Sequence, residues 1–371
     1  MLIMSIAEFF SLCNLHPWAY IAIIINLGVV FVNGYTDGPA TIATAVHTRS
    51  IRPRVAFLLC ATFNLLGALA IGAFSIYLSQ VFGGDIINTI SNLVNYGDAS
   101  TDKVLCAIAC GLIAIIATSQ ICTRLGLPSS QSNCLIGGLT GGGIALIVLG
   151  FNGSIGAGPW IKVIAGFVGS LIVGFLLGFG LTKLIELICR KMNKGKTNRF
   201  FNNGQIASCS LMSFVHGVQD GGKFIGISIL IAAILLTNKD TSLSLDSAVN
   251  SINGTWWLYL PVCVVLFIAC LLGNRRILNS LGRGMANINR YQAFATDIAS
   301  SVGLLVATLF GLPLSTGTIK NTAIMGTAAT RSVRRVKWKK AGEIILWNFL
   351  AFPISMLIAF IFALIFVWTV K

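Results

Sequence analysis

The chain has 371 residues, 56% of them hydrophobic and only 10% charged, and a mean hydropathy of +0.86. Soluble domains carry about 25% charged residues, so this chain lacks the charge to cover a water-facing surface of its size. That excludes an ordinary soluble enzyme, a nucleic-acid-binding module and a disordered chain, and leaves an all-α polytopic membrane protein whose apolar surface is solvated by the lipid bilayer.

Ten apolar segments are predicted in chain order, at roughly 17–48, 54–80, 103–123, 128–150, 158–182, 205–236, 256–273, 291–310, 314–330 and 341–370. The formal net charge of +15 sits in short clusters between them. That is the pattern of cytoplasmic loops and not of a basic domain, so no nucleic-acid partner is expected. Twenty of the 26 basic residues follow the first, third, fifth, seventh and ninth segments. Lys103, Lys162, Lys239 and Lys371 fall on the other side, with Glu8, Asp85, Asp98, Asp102, Asp240 and Asp246. The positive-inside rule then places the twenty in the cytoplasm and both termini outside the cell. The ten cysteines form no CxxC pair and lie almost entirely in apolar runs, as small packing residues do.

Two motifs recur at one spacing. Asn33-Gly-Tyr-Thr-Asp37-Gly-Pro is matched by His216-Gly-Val-Gln-Asp220-Gly-Gly, with the aspartates 183 residues apart. Gly126-Leu-Pro-Ser-Ser130 is matched by Gly311-Leu-Pro-Leu-Ser315, with the serines 185 apart, about half the chain. Two repeats follow, 1–200 with a cytoplasmic linker and 201–371. An odd number of segments in each half inverts the second relative to the first. The first GLP turn falls toward the cytoplasm and the second toward the exterior. Inverted-topology repeats are a signature of alternating-access transporters, whose sites lie near the bilayer midplane on broken helices.

Carboxylates inside apolar segments are costly and functional by default, which singles out Asp37 and Asp220. The adjoining Gly34, Gly38, Pro39, Gly217, Gly221 and Gly222 are expected to break both helices and free carbonyl oxygens for a hard cation such as sodium, with Asn33 close by. Each GLP turn precedes a Ser/Thr-rich start suited to capping a half-helix: Ser129, Ser130, Gln131 and Ser132 in one, Ser315, Thr316, Gly317 and Thr318 in the other. Helix N-termini offer N–H donors and a positive dipole end to an oxyanion, and the placement suits two re-entrant helical hairpins. Lys223, one turn after Asp220, is expected to pair with a carboxylate or meet the anion. Lys320 is a second single intramembrane charge, and Asp297 is a third carboxylate, suited to a cation or proton. His216, at the repeat position of Asn33, suits a structural hydrogen bond. The glycines from Gly137 to Gly143 suit close helix packing. No nucleophile triad, HExxH or redox motif is present, so no enzyme is expected.

At these motifs the chain resembles the inorganic phosphate transporter (PiT) family, from about Asn33 to Trp338. NGYTDGPATIATAVHTRSIRPR is similar to the family's first signature and FVHGVQDGGKFIGISIL to its second. GLPSSQSNCLIGGLTGG and GLPLSTGTIKNTAIMGTAATRSVRRVKW are similar to its two hairpin regions. Asp297 stands where the family usually has glutamate. The resemblance implies symport of inorganic phosphate with sodium or protons across the plasma membrane, no further cofactor, and a homodimer. It places Asp37, Ser130, Gln131, Ser132, Asp220, Ser315, Thr316 and Thr318 about the substrate, where Lys223 is expected as well from its position one turn after Asp220. It places Asp37 and Asp220 about the cation too, as sites for sodium, and Asn33 and Asp297 are expected to join them as cation-binding residues. Departures from the family pattern are Ala40 for asparagine, Gly222 for glutamine, Gln219 for asparagine, and Asn133 and Thr318 for histidines. Two other readings fit the same residues: a permease for sulfate or another tetrahedral oxyanion, and a non-transporting sensor or scaffold.

Overall fold

The computed structural model describes residues 4–82, 86–124, 130–239, 244–252, 255–284 and 288–370. Every predicted apolar segment is helical. After α1 (Ile6–Leu15), the first segment comprises α2 (Pro17–Thr36) and α3 (Gly38–His47). Then come α4 (Pro53–Phe82), the short α5 (Ile86–Ser91), and the pair α6 (Thr101–Arg124) and α7 (Gln131–Val148). The first half closes with α8 (Ala157–Ile188). The second half opens on α9 (Lys194–Lys239) and continues through α10 (Leu245–Ile252), α11 (Trp256–Leu272) and α12 (Arg275–Gly284). It ends with the pair α13 (Arg290–Leu309) and α14 (Thr316–Ala329), then α15 (Trp338–Thr369). Among the described residues eight helical stretches are long and apolar enough to cross a membrane, and a ninth if the bent pair α10–α11 is one span. The helices α1, α5, α10 and α12 are too short or too polar to register as spans and are additions to the expected set. So is a two-residue antiparallel pairing of Val94–Asn95 with Ser154–Ile155.

Burial separates core from periphery. In α9, 94% of the most apolar stretch is buried inside the protein, against 28% in α8 and in α15. α9 is therefore the axis of the bundle. α8 and α15 turn Ile172, Leu176, Phe349 and Leu357 outward, each more than half exposed, as a lipid-facing surface requires.

The two ends of the bundle differ in charge. At one end His16 meets Asp102, Lys239 meets Glu8, Asp98 holds Asn152, and Lys103 lies over the Phe151 ring. At the other end Arg290 reaches the Thr48 carbonyl and Asn198, and Arg331 packs on Tyr291. Glu8, Asp98 and Asp102 gather at the first end and Arg290 and Arg331 at the second, where Glu186 also lies against Tyr291. These contacts also fix helix direction. α2–α3 runs from the acidic to the basic end, and α9 runs the opposite way. The outer ends of α6 and α7 are joined at the acidic end and those of α13 and α14 at the basic end. The two hairpins thus enter from opposite sides, and α14, at 14 residues, is only about 21 Å long.

The expected helix breaks are corrected at one motif. At Asp37 the helix is interrupted for one residue between α2 and α3, yet the Asp37 N–H still reaches the Asn33 carbonyl, and the Asp37 carbonyl still accepts from Ala40. At Asp220 there is no break, and α9 runs through it for 46 residues. Glycine without proline removes no hydrogen bond, and here the glycines serve packing. A Cβ at Gly217 would lie 2.2 Å from the Asn64 carbonyl oxygen, and one at Gly221 would lie 2.7 Å from the Ala68 Cβ, both on α4. The turn Gly126-Leu-Pro128 and Ser129 lie outside the described residues.

The hairpins pack crosswise, α7 mainly on α15 and α14 mainly on α8. The glycines from Gly137 to Gly143 allow this close approach, as expected. A Cβ at Gly141 would sit 2.1 Å from the Met356 carbonyl oxygen, and one at Gly326 would sit 2.0 Å from that of Phe175. Gly141→Ala and Gly326→Ala are each expected to cost about 1–3 kcal/mol by overpacking. Gly158→Ala and Gly180→Ala, where nothing lies within 4 Å, should cost nothing comparable. Thermal unfolding of the four variants checks this, and equal loss in all four would contradict it.

Candidate functional site

The two hairpin tips are built alike. Ser130 caps α7 by accepting from the Asn133 N–H at 3.2 Å, and Ser315 caps α14 by accepting from the Thr318 N–H at 3.3 Å. Each cap leaves the preceding helical N–H groups, at Gln131 and Ser132 or Thr316 and Gly317, without an intrahelical partner. The tips touch, with the Ser132 hydroxyl donating to the Leu314 carbonyl at 3.2 Å. They are joined again through Asn348 of α15. Its carbonyl accepts from the Asn133 amide at 2.8 Å, and its amide donates to the Thr318 hydroxyl at 3.1 Å. Asn133 and Thr318 are the positions where the resembled family has histidines.

Lys223 connects this junction to α9. Its side chain is buried, and its ammonium donates to Asp220 Oδ1 at 2.8 Å, Ser132 Oγ at 2.5 Å and the Leu314 carbonyl at 2.6 Å. An ammonium has three donors, and all three are used, one on each tip and one on the carboxylate. Asp220 Oδ2 accepts from Asn33 Nδ2 at 3.0 Å and faces His216 Nε2 at 3.2 Å. His216 makes its hydrogen bond through Nδ1, with Asn64 Oδ1 at 2.6 Å, the structural role its repeat position suggested. Asp37 joins through Asn33, whose amide also lies 3.5 Å from Asp37 Oδ2, while the Thr36 hydroxyl donates to Oδ1 at 3.2 Å. Gln131 donates to Ser119 and lies 3.4 Å from the Thr36 hydroxyl, so the first tip also borders Asp37. Nine sequence-chosen residues therefore form one connected cluster, Asn33, Asp37, Ser130, Gln131, Ser132, Asp220, Lys223, Ser315 and Thr318, and Thr316 follows Ser315 as the first residue of α14.

Asp297 stands apart from it. It pairs with Lys320 at 3.1 Å and accepts from Thr44 at 2.8 and 3.0 Å and from Gln205 at 2.9 Å. Lys320 also donates to the Thr41 carbonyl at 2.6 Å. One turn further along α3, Thr48 borders a cavity of about 460 Å³ at the basic end, lined also by Asn198, Phe201, Asn289, Arg290 and Tyr291. The second ion pair thus lies between the hairpin junction and an opening at that end.

Sequence reading missed Asn348, Thr36, Thr44 and Gln205. Asn348 carried a usable signal, since it is the one strongly polar residue in the apolar stretch of α15. The other three gain their meaning only from partners far away in the chain.

The profile of the Phosphate transporter family matches residues 33–359. The chain belongs to this family: it is a multi-pass membrane transporter and not an enzyme. Among its relatives, a "Probable low-affinity inorganic phosphate transporter" of Bacillus subtilis (strain 168) is 29% identical over 336 residues, covering 90% of this chain and 92% of that protein. One of the same description from Rhizobium meliloti (strain 1021) is 29% identical over 89% of this chain and 90% of its own length. A solved structure described as "The sodium-dependent phosphate transporter" has the same fold, with a TM-score of 0.74 at 18% identity over 96% of this chain and all of its own.

Breaking a buried ion pair by removing one partner strands a charge and costs about 3–5 kcal/mol, whereas removing both costs far less. Lys223→Met should therefore destabilise the purified protein more than the double variant Asp220→Asn/Lys223→Met. Thermal unfolding of both reads the difference, and a double variant no more stable than Lys223→Met would refute the pairing.

Proposed function

We propose that the protein is a secondary active transporter importing inorganic phosphate across the plasma membrane by symport with sodium or protons. The observation that carries this reading is the Lys223 junction. One buried ammonium bonds to both half-helix tips and to the repeat aspartate. The free N–H groups at Gln131, Ser132, Thr316 and Gly317, the hydroxyls of Ser130, Ser132, Ser315, Thr316 and Thr318, and the Gln131 amide supply hydrogen-bonding groups for an oxyanion. The Asp37 and Asp220 carboxylates accept from a protonated phosphate oxygen, which sulfate lacks at neutral pH. In this reading the Lys223 ammonium exchanges the Leu314 carbonyl for a phosphate oxygen as the tips part.

Cations bind at Asp37, with Asn33 and Asp220 adjoining, and Asp297 lies on the route to the basic end. Moving one charge through the membrane potential costs or yields about 2.3 kcal/mol per 100 mV. Phosphate entering a negative-inside cell as an anion therefore needs at least one accompanying cation. The basic end is the cytoplasmic face, which leaves both termini outside. The division into inverted repeats at 1–200 and 201–371 is supported by the opposed directions of α2–α3 and α9, the hairpins entering from opposite ends, and the crosswise packing on α8 and α15. The homodimer rests on the family resemblance.

The test is radiolabelled phosphate uptake into proteoliposomes under an imposed sodium or proton gradient, with sulfate as competitor. Gradient-driven uptake should resist sulfate and fall at least about tenfold in Asp37→Asn and in Asp220→Asn, the effect of losing about 1.4 kcal/mol of site energy. Sulfate uptake in place of phosphate would refute the substrate, and transport of neither would refute the function.

A further inference from the structure

The interior of the bundle holds an uneven set of charges. Among the described residues it contains three carboxylates, the buried Asp220 and Asp297 and the partly exposed Asp37, and two buried ammoniums, Lys223 and Lys320. Each ammonium sits in a cage made only of oxygen. Lys223 has the Asp220 carboxylate, the Ser132 hydroxyl and the Leu314 carbonyl; Lys320 has the Asp297 carboxylate at 3.1 Å and the Thr41 carbonyl at 2.6 Å. Carboxylate, hydroxyl and carbonyl oxygens are also the ligands that a hard monovalent cation takes. A lysine placed there supplies the same charge but stays tethered to its helix.

Asp37 is different. Among the described residues no basic side chain lies within ion-pairing distance of it, and its polar neighbours are the Asn33 amide at 3.5 Å and the Thr36 hydroxyl at 3.2 Å. Two buried acceptor oxygens have no hydrogen-bond partner, Asn33 Oδ1 on the side chain beside Asp37 and Gln131 Oε1 on the amide that reaches the same Thr36 hydroxyl. Buried acceptors left unpaired are costly unless something fills them. Beside a carboxylate that lacks a counter-charge, they form an oxygen set suited to a cation.

We propose that Lys223 and Lys320 are resident counter-cations, standing beside Asp220 and Asp297 in place of mobile ions, so that each transport cycle carries a single exchangeable sodium, held by Asp37, Asn33 and Gln131. This rests on the symport reading above and sets its stoichiometry. Three carboxylates against two ammoniums leave one negative charge, which repels an incoming anion. One sodium removes it, so cation and anion binding are coupled by charge balance.

The experiment is ²²Na⁺ binding to the purified protein in detergent, counted per chain and independent of any transport assay. The wild type should bind one sodium, and Asp37→Asn should bind none. Lys320→Asn opens the Asp297 cage and should bind two, whereas Lys320→Asn/Asp297→Asn should return to one. Gel filtration and thermal unfolding establish that each variant is folded. A wild type binding two or more sodium ions, or none, overturns the proposal whatever the variants do. A folded Lys320→Asn that still binds one overturns it as well. If the sodium counts are as expected but phosphate uptake is absent, the counter-cation assignment stands and the symport reading fails.

Discussion

The fold is organised around one buried ammonium that must find three oxygen partners. Lys223 sits where lipid-depth burial gives it no water, and an unpaired charge there is not tolerated. Its partners come from three separate parts of the chain: the preceding turn of α9, the tip of the first hairpin and the entry to the second. Bringing both tips to the centre requires the hairpins to enter from opposite ends. Placing Lys223 at that centre requires α9 to be the axis, and α9 is the most enclosed of the helices long enough to cross a membrane. The close contacts of α4 at Gly217 and Gly221 follow, because a bulkier side chain there would push Asn64 and Ala68 away.

The second ion pair, Asp297 with Lys320, repeats the same chemistry nearer the basic end. It ties α13 to α14 and, through Thr44 and the Thr41 carbonyl, ties that hairpin to α3. Asn348 does for α15 what Lys223 does for α9, touching one residue of each tip. The hairpins are therefore clamped from two sides by groups that donate and accept hydrogen bonds. Parting the tips means exchanging those bonds for others, and an oxyanion with several acceptor oxygens is suited to that exchange.

Much of this was legible in the sequence. A carboxylate or a lysine in an apolar run stands out because the bilayer makes it expensive, so Asp37, Asp220, Lys223, Asp297 and Lys320 could be marked without coordinates. The Pro-Ser starts of the half-helices were legible because capping is a local interaction, and Ser130 and Ser315 cap as read. What failed was the helix break at Asp220. Glycines near a functional residue read as interruption, but their use is set by how closely α4 approaches, which no local pattern encodes. The pairing of Lys320 with Asp297, 23 residues apart, and the Asn348 bridge to Asn133 and Thr318, 215 and 30 residues away, had no local signature.

The most direct measurement is an experimental structure determined in saturating phosphate. A phosphate between the tips of α7 and α14, within hydrogen-bond reach of Ser130–Ser132, Ser315–Thr318 and the Lys223 ammonium, is the result that the junction predicts. Phosphate held only at the basic end, in the cavity lined by Asn198 and Arg290, with the tips still closed on Lys223, would contradict it.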